Sequence, residues 1–106
     1  YNKKLKTEWP DLKATLHPWG MRGSNLEPDP KMPTKTMEET LKELGHEGRR
    51  IDILKVDCEH CEWDAYRDWL SAPNEITQIL LETHRIRTRF FQEMFDAGYV
   101  IFHKEP

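Results

Sequence analysis

The sequence predicts an α/β fold built on a parallel sheet, and three observations carry that expectation. Ile51–Val56 and Ile76–Glu82 are short, nearly continuous apolar runs of the kind a parallel sheet buries on both faces. Each is followed by apolar residues at helical spacing: Trp63, Tyr66, Trp69 and Leu70 after the first, Ile86, Phe90, Phe91, Met94 and Phe95 after the second. Strand, helix and strand joined by connections of this length require right-handed crossovers between parallel strands.

Residues 1–35 are predicted to be an irregular segment, with one possible strand where Leu12-Lys13-Ala14-Thr15-Leu16 alternates before His17-Pro18-Trp19-Gly20. Pro28, Pro30 and Pro33 remove amide donors and fix φ, so Asn25–Thr34 reads as an extended connecting loop. Thr36-Met37-Glu38-Glu39 is a capping box that opens a helix over 36–44. Met37, Leu41 and Leu44 share one face of it, and Gly45 is placed to cap its end. A strand over 51–57 leads to a helix over 60–71, which Pro73-Asn74 stops. A strand over 76–82, a helix over 87–97 closed by Gly98 and a last strand over 99–103 complete the series. The aromatic stripe from Trp63 to Trp69 fits core packing better than a cofactor box.

A chain of 106 residues forms one small domain at most and buries only roughly two thirds of its unfolded surface. Its net charge of −3 arises from interspersed signs rather than blocks, which gives no footprint for nucleic acid. No apolar run approaches the length of a membrane span. Tyr1-Asn2-Lys3-Lys4 has neither an initiating Met nor a signal-peptide core, so the chain reads as an internal piece of a longer protein. Arg85, Arg87 and Arg89 fit a solvated helix face paired with Glu93 or Asp96 better than a phosphate or carboxylate site.

Cys58 and Cys61 form a lone C-x-x-C. A structural zinc site needs four ligands, and only His84 is placed to join the pair, so zinc is disfavoured. A redox role suits a C-x-x-C at a strand-to-helix junction, but Glu59 and Glu62 would oppose thiolate formation. The expectation is two reduced, small apolar side chains packed at the top of the sheet.

Parallel strands send their carboxyl ends to one edge, where open α/β sheets bind ligands. Asp57 and Glu59 would therefore neighbour Glu82 and His84, placing three acids and an imidazole in one crevice. Asp57, Glu59 and Glu82 also offer oxygen ligands for a divalent cation such as magnesium. The bland alternatives stand beside these: Glu59 or Glu62 favouring a helix N-terminus, and His84 satisfied as a strand-end histidine.

Lys55-Val56-Asp57-Cys58-Glu59-His60-Cys61-Glu62 resembles the K-x-D-x-E-G-x-E signature of FkbM-type methyltransferases and their methyltransferase-like relatives. His17-Pro18-Trp19-Gly20 is similar to that family's segment after the third strand, Ile79–His84 to its fifth and Phe102–Pro106 to its sixth. Each motif is short, but they are spread so that the resemblance spans most of the chain. His60 departs from the pattern, since the family usually carries Gly there, which can take φ > 0 or admit a ligand closely.

The resemblance implies a Rossmann-like fold, that of the class I S-adenosylmethionine (SAM) methyltransferases, represented by its C-terminal portion. The Gly-rich loop of such enzymes is missing, since none of the five glycines forms G-x-G. It implies SAM as cofactor, with Asp57, Glu59 and His84 as catalytic candidates, Glu82 toward the substrate and Trp19 toward the adenine or the sheet edge. His84 has the resting pKa of a general base, and Asp57 or Glu59 could orient it or the acceptor. The acceptor could be a small molecule, a glycan hydroxyl or a protein.

A catalytically inert Rossmann-like binding or interaction module is the alternative, and a metal-dependent hydrolase is weaker. A G-x-G loop upstream would favour cofactor binding. In the family's sheet the first and second strands separate the third from the fourth. The isolated chain is therefore expected neither to bind SAM measurably nor to fold as a stable monomer.

Overall fold

A computed structural model describes residues 7, 8, 10, 11 and 13–105. The element order is β1 (Gly20–Met21), β2 (Thr34–Lys35), α1 (Met37–Leu44), β3 (Ile51–Val56), α2 (Cys61–Ser71), β4 (Ile76–Leu81) and α3 (Thr88–Asp96). The result is a mixed α/β domain, with β1 paired to β2 and β3 to β4 in two separate two-stranded parallel sheets. A full Rossmann sheet is not formed among the described residues.

Local signals set the helix ends. The Thr36 hydroxyl accepts from the Glu39 amide at 3.2 Å and starts α1. The Glu39 carboxylate does not complete the capping box but meets Arg22 at 2.8 Å, tying the β1 segment to α1. Gly45 ends α1 in the left-handed conformation at φ 67°, with its amide on the Lys42 carbonyl and that of His46 on Leu41. Those two bonds satisfy carbonyls the helix would otherwise leave open.

Ile51 pairs with Ile76 and Val56 with Leu81, so the crossover through α2 is the expected parallel one. The core joins Met37 and Leu41 of α1, Val56 and Ile76 of the strands, Ala65, Tyr66 and Trp69 of α2, and Phe90 and Met94 of α3. One expectation fails here: the sheet is not buried on both faces. On the face that carries Ile51 and Ile76, cover is confined to the start of the strands: Ile76 is 5% exposed, whereas Ile53 and Leu80 are 58% and 39% exposed.

Among the described residues, two expected strands do not form. Tyr99–Glu105 carries no ladder, and Val100, Ile101 and Phe102 stay about 70% exposed. A strand forms only where a neighbour supplies its backbone partners, and among the described residues this segment is tied to the rest at Tyr99. The Tyr99 amide bonds the Met94 carbonyl and its hydroxyl bonds that of Ile76. The possible strand at 12–16 is irregular over 13–16, and Leu12 lies outside the described residues. At the end of the expected loop, Thr34 and the following Lys35 instead make the short pairing with β1.

The cysteines are not reduced. Cys58 and Cys61 are joined in a disulfide, their Cα atoms 5.6 Å apart, a separation within normal bridging range.

Candidate functional site

β3 and β4 end side by side, and the chain leaves both into short turns before α2 and α3. The turn after β3 carries Asp57, the disulfide and His60, which adopts φ 67°. The left-handed backbone expected of a glycine is thus present, taken by a histidine. Such a conformation costs a side-chain-bearing residue about 1–2 kcal/mol. Contact of the His60 ring with that of His84, centroids 4.7 Å apart, accompanies it.

The four residues expected at this edge do come together. Asp57 lies close enough to Glu82 to hold its carboxyl above the ordinary value. His84 Nε2 stands 3.8 Å from Glu82, and Glu59 is close enough for its charge to act on the His84 ring. Trp19 is placed otherwise: its indole donates to Thr40 at 3.2 Å, meets the His17 ring and lies under Lys35, all partners outside the crevice.

Sequence reasoning missed the contact of Glu62 with His84, reading Glu62 as a helix-terminus acid and as a charge opposing thiolate formation. Its side chain is fully buried, and Oε1 accepts both the backbone amide and Nδ1 of His84, each at 2.8 Å. Burial pushes the Glu62 carboxyl up, but bonds from its own amide and from His84 outweigh that and hold it below the ordinary range. A signal was available: residues 62, 65, 66 and 69 form one buried stripe at helical spacing, so this acid sits on the apolar face.

The arginines divide. Arg89 meets Glu93 at 3.8 Å as expected of a helix pair, Arg87 lies over the Trp63 ring, and Arg85 takes φ 72° in the turn after His84. Glu93 is held chiefly by Tyr66, with Arg67 beside it, and these bonds keep its carboxyl low.

Among the described residues no three His, Cys, Asp or Glu side chains are grouped to hold a metal ion. The magnesium alternative therefore lacks its ligand set: Asp57 and Glu82 pair, but Glu59 does not complete a cluster with them. Two cavities of about 190 and 380 Å³ are lined by other residues. No helix among the described residues is long and apolar enough to cross a membrane.

The Glu62 hydrogen bond raises the His84 pKa against burial, and the charges of Glu62, Glu82 and Glu59 add to it. A raised imidazole contributes stability that is full below its unfolded value of about 6.5 and is lost as pH rises through the higher folded value. The lowered Glu62 carboxyl contributes above about 4.3 and loses its share as pH falls through the depressed value. The stability gap between the complete protein and its H84N variant should therefore peak at about pH 5–6 and narrow above it. Urea titrations across this range measure the gap, and one that is constant up to about pH 9 would contradict the pairing.

Together these features define an α/β domain whose acids and one clamped imidazole collect at the carboxyl ends of two parallel strands. The chain belongs to a methyltransferase domain family, whose profile matches residues 2–106. No curated protein and no solved structure matches it.

Proposed function

We propose that these residues form the acceptor-facing part of a SAM-dependent methyltransferase domain of FkbM type, with residues 1–106 its C-terminal portion. The observation that carries this reading is the placement of His84 beside Glu82 and Asp57 where two parallel strands end, in a chain of the methyltransferase family. The FkbM assignment is supported by Lys55–Glu62, which span the end of β3 and the entry to α2, where such a signature would serve a site. Paired carboxylates suit a cationic sulfonium, whereas no G-x-G turn is present to cradle the rest of the cofactor.

When bound, SAM supplies an electrophilic methyl group. The residues of this chain act on the acceptor. His84, once neutral, takes the proton of an acceptor hydroxyl at Nε2. Glu82 hydrogen-bonds the acceptor, Asp57 shares that contact and Glu59 adds negative charge at the rim. Alignment of the acceptor and removal of its proton are the two tasks the protein must perform. Calorimetric titration of the complete protein with SAM, beside methyl transfer to hydroxyl acceptors, tests the reading. Saturable binding with transfer is expected, and a folded complete protein that binds no SAM would favour the inert module.

A further inference from the structure

We infer that Glu62 is a positioning residue that fixes which nitrogen of His84 faces the crevice. The inference rests on the methyltransferase reading for its functional meaning but not for its geometry. The Glu62 side chain has no solvent exposure, and one of its oxygens receives both the His84 amide and Nδ1 at 2.8 Å. A carboxylate only accepts, so Nδ1 must carry the proton of the neutral ring. Nε2 is then left as the lone-pair nitrogen, and it is the one beside Glu82.

The backbone is held as firmly as the ring. The Trp63 indole donates to the His84 carbonyl at 2.7 Å, so two consecutive residues of α2 grip the amide, the carbonyl and the imidazole of one histidine. The fully buried Glu62 side chain keeps water from competing for the bond. A buried acid that holds a histidine in one tautomer, leaving the far nitrogen to move a proton, is a recurring arrangement in acid–base catalysis. The charged and titratable groups around the ring are Glu62 from α2, Glu59 and His60 from the turn after β3, and Glu82 at the end of β4.

Nitrogen-detected NMR of the histidine rings in the complete protein, assigned with H84N, tests this without reference to turnover. The wild-type neutral ring should carry its proton on Nδ1. E62Q should lower the His84 titration midpoint by about one pH unit and mix the tautomers. E62D, which keeps the charge, should restore part of the midpoint. In methyl transfer E62Q should lower kcat by about 100-fold with the acceptor KM little changed.

A wild-type ring protonated on Nε2 would overturn the inference even if neither Glu62 variant folds. An E62Q midpoint and tautomer identical to wild type would do the same. If the NMR result is as expected but the complete protein transfers no methyl group, the positioning stands and the methyltransferase reading fails.

Discussion

Replacing Asp57 with Asn in the complete protein is expected to depress turnover by about 100-fold or more while moving thermal stability little. Asp57 is exposed at the end of β3, so the substitution removes no core packing and should lie near the small range of surface changes. Its carboxylate nevertheless faces Glu82 and holds that group's proton more tightly. Losing the negative neighbour lets Glu82 fall toward its ordinary range and removes one of the groups that orient the acceptor. Steady-state kinetics beside a thermal melt separate the outcomes. Equal losses of folding and activity, or unchanged turnover, would mark Asp57 as structural.

Trp69→Ala should act in the opposite way, through the fold alone. Trp69 is only 2% exposed, is among the largest fully buried side chains, and its indole also reaches the Met21 sulfur at 3.3 Å. Truncating a buried tryptophan costs about 3–5 kcal/mol, a large fraction of the roughly 5–15 kcal/mol that holds a domain together. Met21 would lose its partner as well, loosening the short β1–β2 sheet from α2. Ile86, which is 88% exposed, provides the control, since its replacement by Ala should change stability by less than about 0.5 kcal/mol. Urea unfolding of both variants measures the contrast, and a loss under about 1 kcal/mol for Trp69→Ala would mean that the indole is not central to the core.

What could be read from the sequence was local. The ends of the three helices fall within one residue of expectation because Thr36, Gly45, Pro73 and Gly98 act on their own neighbours. The parallel pairing of β3 and β4 followed from the length of their crossover. Whether 99–103 becomes a strand depends on a distant partner, which no local pattern reports, and apolar character alone did not order it. At the site, Asp57, Glu59, Glu82 and His84 converge because strand ends of a parallel sheet must converge. Trp19 had no such constraint and fell elsewhere. Glu62 was hidden because attention to exposed acids passes over one on a buried helix face. The disulfide was missed because two cysteines at that spacing serve equally as thiols or as a bridge, and local acidity argued for the former.

The bridge also encloses Glu59 and His60 in a covalent ring. Hydrolysis after Glu47, Glu59 and Glu62 in unfolded, unreduced protein would leave the peptide ending at Glu59 linked through sulfur to the tripeptide His60-Cys61-Glu62. In dithiol protein the same digestion would release them separately. A glutamate-specific digest read by mass thus reports the oxidation state of the turn that carries Glu59 into the site, and a preparation can be graded for bridged and open molecules before any kinetic comparison.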